Sequence, residues 1–135
     1  MLVGRRYRLE LSRDQAAYAE RVAGICRAVR NAALDQRRAA AQLNRGRTVD
    51  RKQWPGYASQ CRELAEAPSH CPQQTLRDLH RACRQHGVWR VHWRSKRRWE
   101  PSFRFPDANQ VGEVHRLGRH MGEVRLPKLD NVRFR

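Results

Sequence analysis

A strand with no nearby partner is the feature that most constrains the fold of this chain. Residues 2–11 alternate in polarity, which is the period of a half-buried strand. Its apolar face holds Val3, Tyr7, Leu9 and Leu11, together with Arg5. Roughly 80 residues of helical or loop pattern follow before the next strand-like segment. Because an isolated strand is not stable, we predict that it pairs with strands near residue 135 and that the helices form an insertion in a small β domain.

Three amphipathic helices are predicted in this insertion. A capping box of Ser12 and Gln15 starts the first, which runs from about Arg13 to Asn44. The second is predicted from Gly56 to Ala67, and the third from near Cys71 to Gly87. The apolar stripe of the first helix is Tyr18, Val22, Ile25, Val29 and Ala33. Leu34 lies close to the polar face of the same helix, so part of that face is predicted to pack against another helix.

After Gly87 the period of the sequence changes from that of a helix to that of a strand. Trp89, Val91 and Trp93 alternate with basic residues, and further short strands are predicted around 102–105, 110–117, 121–126 and 131–135. The predicted core of the β domain includes Tyr7, Leu9, Trp89, Phe103 and Phe105. The fold class is therefore predicted as α+β. Residues 1–11 with 91–135 would form a split β domain, and residues 12–90 the inserted helical domain.

The charge of the chain indicates what it binds. Lys and Arg number 29 against 13 Asp and Glu among 135 residues, a formal net charge of +16. Such a protein attracts polyanions, of which nucleic acid is the commonest. Only three of the cations are lysine, and arginine suits phosphate and base edges; the codon usage of a GC-rich genome would give the same ratio. The sequence has neither an apolar run long enough to span a membrane nor one typical of a signal peptide, so a cytoplasmic location is predicted.

Metal-dependent and covalent catalysis have little support in the sequence. The four cysteines (26, 61, 71 and 83) form no CxxC pair, and the nearest approach to a ligand set is His80, Cys83 and His86. Acidic residues are scattered, with no pair placed for two-metal chemistry. We therefore predict reduced thiols, no metal site, no cofactor and no enzymatic activity for this chain alone.

Four sequence blocks, in order along the chain, resemble a known family. They are Leu11 with Gln15 followed by Gly24, Arg27, Asn31 and Leu34; residues 73–82; residues 93–98 with 102–106; and residues 124–129. This order resembles the N-terminal part of the TnpB (OrfB) proteins encoded by insertion sequences. Those proteins are RNA-guided DNA endonucleases and are ancestors of the type V CRISPR effectors.

The resemblance implies a fold, partners and a missing activity. It implies a helical recognition lobe inserted after the first strand of a wedge-like β-barrel, with guide RNA and DNA as partners. The family's RuvC-like nuclease domain and its CxxC zinc site lie downstream and are absent from this sequence. The function predicted for this chain is therefore binding of guide RNA and target-adjacent DNA without cleavage.

Three basic surfaces are the candidate nucleic-acid-binding sites. They are the first-helix face (Arg27, Asn31 and Arg38), the third-helix face (Gln73, Gln74, Arg77 and Arg81) and the basic segment (Arg94, Lys96, Arg97 and Arg98, with Trp99). Glutamine pairs with adenine and arginine with guanine or phosphate, and the resemblance implies that the third helix lies near the target-adjacent motif. Cations interleaved with aromatic rings are common on surfaces that bind single-stranded or structured RNA. For the first-helix face, a solvated surface or a partner helix explains the pattern as well.

Two further functions fit the same sequence. A free-standing regulator would place the first or third helix in a DNA groove, as a helix-turn-helix protein does. A structural binder of ribosomal RNA would also need the net positive charge.

Overall fold

The computed structural model describes residues 3–43 and 66–135. Its elements, in chain order, are strand β1 (Leu9–Glu10), helix α1 (Arg13–Leu43), helix α2 (His70–His86), a 3-10 turn (Ala108–Gln110) and strands β2 (Val114–Arg116), β3 (Gly122–Leu126) and β4 (Asp130–Phe134). The predicted α+β class is confirmed for the described residues. Helix α1 extends to Leu43, and Asn44, its predicted last residue, lies outside the described residues; α2 is the third predicted helix. Most of the second predicted helix, residues 56–65, lies outside the described residues. The three-helix lobe therefore stays a prediction.

The chain divides into two compact units. The sheet unit comprises residues 1–20 and 107–135, and the helical unit comprises residues 21–106. Helix α1 continues without a break from one unit into the other, with residues 13–20 in the sheet unit. Whether the chain divides into a β domain of residues 1–11 with 91–135 and an inserted domain of residues 12–90 stays a prediction.

The sheet unit confirms that the first strand pairs with strands near residue 135. Its four strands are antiparallel in the order β1-β4-β3-β2, and Leu9 lies opposite Phe134. Reciprocal main-chain hydrogen bonds of 2.9 and 3.0 Å between Arg8 and Arg135 extend this pairing by one residue. In the part of the chain that the structure describes, β1 and β2 are the edges of an open sheet, so closure into a barrel stays a prediction.

Helix α1 begins at the predicted capping box. The Ser12 N–H donates to Gln15 Oε1 at 3.0 Å, and the Gln15 N–H donates to Ser12 Oγ at 3.2 Å. Gln15 Nε2 also donates to the carbonyls of Leu129 and Asn131, each at 2.9 Å. The same side chain thus caps the helix and ties its first turn to the β3–β4 turn at Leu129 and to strand β4 at Asn131.

Gly122 in β3 lies beneath an aromatic ring of the neighbouring strand. It is paired with Phe134, and a Cβ atom at position 122 would lie 2.5 Å from the Phe134 Cζ. The ring also contacts Tyr7, whose ring centroid is 5.1 Å away in an edge-to-face arrangement. Only glycine accommodates the ring in this position.

The core of the sheet unit is smaller than predicted. Val132 and Leu129 are buried, whereas Tyr7 and Leu9 are about half exposed, so their assignment to the core is wrong. Leu9 belongs to an edge strand of only two residues. Because such a strand has a neighbour on one side only, too few side chains surround Leu9 to bury it.

The helical unit has its core where α1 and α2 face each other. Leu34, Leu79 and Val91 form one buried cluster, and Val22 and Cys26 of α1 are also fully buried. Helix α2 ends at Gly87, as predicted: this residue has a φ of 83°, which favours glycine, and its N–H donates to the Cys83 carbonyl at 2.9 Å.

Two predicted strands of the helical unit are wrong. Residues 88–90 form a turn, and neither residues 91–94 nor residues 102–105 have a strand partner among the described residues. Phe103 and Phe105 are half-buried against each other, with ring centroids 5.6 Å apart. Trp89, predicted to be in the core, is 59% exposed.

Candidate nucleic-acid interface

The outward face of α2 is as predicted from its spacing. Gln73, Arg77 and Arg81 are exposed at intervals of four residues, while Leu79 points into the core. The helix starts with Pro72 in its first turn and has no acidic residue there. This third-helix face therefore presents amide and guanidinium groups to solvent along one side of α2.

Gln74 differs from Gln73 in having an internal partner. Its Nε2 donates to Asp78 Oδ1 at 3.0 Å, and the same oxygen accepts from Arg104 Nη2 at 2.6 Å. Asp78 thus joins the start of α2 to the extended segment that follows the basic segment. Of the two glutamines, Gln73 is the one whose amide is exposed.

Asn31 and Arg94 are joined through the main chain of Arg94. The Asn31 Nδ2 donates to the Arg94 carbonyl at 2.8 Å, and the Arg94 N–H donates to Asn31 Oδ1 at 3.0 Å. The side-chain amide therefore pairs with Arg94 as a neighbouring strand would, using one donor and one acceptor.

Arg38 holds the same segment farther along. Its Nη2 donates to the Val91 carbonyl at 2.7 Å and its Nε to the Val88 carbonyl at 3.3 Å. The guanidinium also lies over the rings of Trp89 and Trp93, 5.6 and 5.4 Å from their centroids. A guanidinium donates hydrogen bonds in its plane and stacks on aromatic rings with its faces. The Arg38 side chain can therefore bind both carbonyls and both indole rings at once.

A third residue of α1, Arg30, completes this arrangement. Arg30 Nη1 donates to the His92 carbonyl at 2.7 Å. We call Arg30, Asn31 and Arg38 the main-chain clasp, because all three bind backbone atoms of residues 88–94. The sequence pattern predicts nucleic-acid contacts for Asn31 and Arg38 and does not single out Arg30. Leu34, a buried residue next to the polar face, indicates that part of this face is covered, but it does not identify the main chain of residues 88–94 as what covers it.

The basic segment is a turn that exposes its cations. Ser95 accepts from the Arg98 N–H through Oγ at 3.1 Å and from the Trp99 N–H through its carbonyl at 3.0 Å. Lys96, Arg97 and Arg98 are exposed. Arg94 is half-buried, with its guanidinium 4.9 Å from the centroid of the Trp99 ring. Arg27, the remaining predicted residue, is half-buried on α1.

Two arginines of this region are close enough to repel each other. Burial lowers the pKa of Arg30, and the charge of Arg94 lowers it further. Burial also lowers the pKa of Arg94, whereas the negative charge of the Asp78 carboxylate raises it. Both guanidiniums stay charged at neutral pH, so this part of the surface gains from an anion that separates them.

Two thiols are buried between the helices. Burial, with a smaller effect of the Cys26 charge, raises the pKa of Cys71 to about 12. Burial also raises the pKa of Cys26, against a hydrogen bond with the Thr75 side chain. Within residues 3–43 and 66–135, the structure shows no cluster of His, Cys, Asp and Glu that could hold a metal ion. Nor does any helix of these ranges have the length and apolarity needed to cross a membrane.

The start of the chain matches a known family. Residues 1–46 match the model of the helix-turn-helix domain of OrfB proteins from IS605-type elements. The N-terminal region of this chain is therefore similar to that of IS605-type OrfB transposases. The match spans β1, all of α1 and hence the three residues of the clasp, whereas the third-helix face and the basic segment lie outside the OrfB match. No curated protein and no solved structure matches the chain.

Proposed function

We propose that this chain is the nucleic-acid-binding N-terminal portion of a TnpB-like transposase, which binds a guide RNA and the target-adjacent DNA and does not itself cut. The OrfB match of residues 1–46 carries the proposal. The net charge of +16 supports it, because binding to a phosphate backbone is driven mainly by cations.

The third-helix face is the proposed contact to target-adjacent DNA. Gln73, Arg77 and Arg81 project from one exposed side of α2, and these residue types recognise adenine, guanine and phosphate. Gln74 and Asp78 lie behind them, and their hydrogen bond orients the start of the helix. In this proposal Gln73 contacts a base and Gln74 positions the face.

The basic segment is the proposed contact to RNA. Its exposed Lys96, Arg97 and Arg98 lie next to two indoles, Trp93 and Trp99. Phosphate contacts from such cations give affinity without sequence preference, whereas aromatic rings stack on unpaired bases. In this proposal the clasp acts indirectly, since Asn31 and Arg38 hold the backbone of the segment in place.

Sequencing of the RNA that copurifies with the chain tests this proposal. We expect one structured RNA to be enriched, and binding to duplex DNA to gain sequence preference only when that RNA is present. Transfer RNA at equal concentration is the control for charge alone. Incubation of the complex with labelled duplex and Mg²⁺ is expected to leave the duplex intact, and cleavage abolished by a point mutation would contradict the proposal.

The alternative is a free-standing helix-turn-helix regulator, which the description of the matched model favours. In the described residues of the matched span, however, α1 is one uninterrupted helix from Arg13 to Leu43, whereas that motif joins two helices by a short turn. Specific binding to duplex DNA by the RNA-free chain would favour the regulator. Enrichment of ribosomal RNA alone would instead favour a structural RNA binder.

A further inference from the structure

A basic groove opens in the helical unit beside the basic segment. It has a volume of about 390 Å³ and is bounded by α1, the end of α2 and residues 90–99. Its basic and aromatic lining is formed by Arg30, His86, Trp93, Arg94, Arg98 and Trp99. Among the described residues that line it, none is acidic. Small-molecule sites span roughly 300–1,000 Å³, so the groove accommodates a ligand of about the size of one nucleotide.

The groove presents charge that its own walls do not neutralise. The guanidiniums of Arg30 and Arg94 are both half-buried, and the charge of Arg94 acts on Arg30. The carboxylate that acts on Arg94, Asp78, is already paired with Arg104 at 2.6 Å. A phosphodiester between Arg30 and Arg94 would supply the missing negative charge, with the donor geometry that guanidinium offers to phosphate.

The groove also presents aromatic surface held in a fixed orientation. The Arg94 guanidinium lies 4.9 Å from the centroid of Trp99, and the Arg38 guanidinium lies 5.4 Å from the centroid of Trp93. Trp93 nevertheless remains 47% exposed. Indole rings held in this way, next to phosphate-binding cations, are the combination that binds unstacked bases of a single strand.

We propose that this groove binds one unstacked nucleotide of a single-stranded segment, with its base against the indoles of Trp93 and Trp99 and its phosphate between Arg30 and Arg94. The inference rests on the proposed function, because it supposes that the chain binds nucleic acid. It adds that the bound nucleic acid is single-stranded at this site. Duplex would be excluded, since a paired base cannot enter a groove of this size. RNA and DNA share the base and the phosphate, and the 2′-hydroxyl alone distinguishes them.

An abasic substitution tests the groove directly. The probes are fluorescently labelled oligouridylate of eight nucleotides, its counterpart with one central abasic site, and the matching oligodeoxyuridylate pair, with binding followed by anisotropy. Stacking of one base is worth roughly 5- to 150-fold in affinity, so the abasic probes should bind more weakly by a factor in this range. The Trp99→Leu chain should show a clearly smaller difference between the members of each pair, and a chain with both Trp93→Leu and Trp99→Leu should bind them equally. Tighter binding of the RNA pair would identify RNA as the source of the nucleotide, and equal binding would identify a site for either strand.

Matched variants separate the groove from charge and folding. Trp99→Phe keeps a ring and should keep a penalty for the abasic probe, which a merely structural role for Trp99 would not predict. Arg30→Gln should weaken binding of intact and abasic probes alike, by more than the exposed Arg133→Gln, which removes the same charge from β4. A chain that binds the probes with no abasic penalty contradicts the groove and leaves the proposed function standing. A chain that binds neither probe nor copurifying RNA contradicts both.

Discussion

The side-chain amide of Asn31 forms two hydrogen bonds with the main chain of Arg94, of 2.8 and 3.0 Å. Sixty-three residues separate the two along the chain, so the contact closes a long loop and sets where the basic segment begins. Its removal would affect both folding and binding.

Replacement of Asn31 by alanine leaves the N–H and carbonyl of Arg94 without their partner. Both groups are partly buried, so we expect the free energy of unfolding to fall by about 1–3 kcal/mol. Urea denaturation measures this change. Asp35→Ala, an exposed position on the same helix, is the control and should stay within about 0.5 kcal/mol of the wild type. Equal effects of the two changes would show that the Asn31 contact contributes nothing.

Replacement of Arg38 by lysine keeps the charge and loses the planar donor. An ammonium cannot bind the Val88 and Val91 carbonyls and stack on the rings of Trp89 and Trp93 together. We expect a loss of about 1–2 kcal/mol in unfolding free energy and a change in tryptophan emission as the indoles lose their cation. Arg84→Lys, an exposed change on α2, should alter neither. An unchanged emission spectrum would contradict the arrangement.

The exposed cations of residues 96–98 are expected to contribute to binding through phosphate contacts alone. Their replacement by alanine should weaken binding to every sequence alike and flatten the plot of log affinity against log salt by up to about one unit per lost contact. Fluorescence titrations of the RNA complex between 50 and 300 mM KCl, on the order of the physiological range, would measure the slope. A triple replacement of the sheet-unit residues Arg116, Arg119 and Arg133 matches the loss of charge. If both triple variants change the slope equally, the basic segment has no special role.

The two glutamines at the start of α2 should differ in their effect on sequence preference. Gln73→Ala removes the exposed amide, and we expect a loss of about 1–3 kcal/mol of discrimination at one or two base positions, with the salt slope unchanged. Gln74→Ala breaks its hydrogen bond with Asp78 and should lower thermal stability more than discrimination. Competition titrations with single-base variants of the preferred duplex separate the two. A uniform loss of affinity on every duplex for Gln73→Ala would contradict base contact.

Ionisation of Cys71 should make the fold less stable in alkali. Its pKa is raised from 9.0 to about 12 in the folded chain, so its contribution is complete below about pH 9 and is lost as the pH rises to about 12. In this window the unfolding free energy should fall by about 1.4 kcal/mol per pH unit more steeply in the wild type than in Cys71→Ala. Urea denaturation at pH 8.5, 9.5 and 10.5, roughly spanning the start of the window, tests this. Parallel pH dependences in the two proteins would show that the thiol is not buried.

The helices and the strand pairing could be predicted because they depend on local patterns and on exclusion. The capping box of Ser12 and Gln15 marks the start of α1, and Gly87 marks the end of α2. The first strand has no strand-like segment near it in the sequence, so only strands near residue 135 could pair with its main-chain groups. None of these inferences requires knowledge of which side chains meet across the core.

The clasp could not be predicted because it depends on such a meeting. The alternation of Trp89, Val91 and Trp93 predicts a strand, since period two marks any extended backbone with one buried face. Val91 is buried, but the carbonyls of residues 88, 91 and 92 accept from arginines of α1 and not from another strand. The polarity pattern carries no information about the partner of a main-chain group. Arg30 of the proposed groove was missed for the same reason.

The ring of Phe134 above Gly122 also has a consequence for how this protein can diverge. Any side chain at position 122 would displace the ring from its contact with Tyr7, and any smaller residue at position 134 would leave the glycine uncovered. The two positions are therefore expected to change together, or not at all, as homologous sequences accumulate substitutions. A glycine retained where the aromatic residue is lost, across many homologues, would show that the pair is under no mutual constraint.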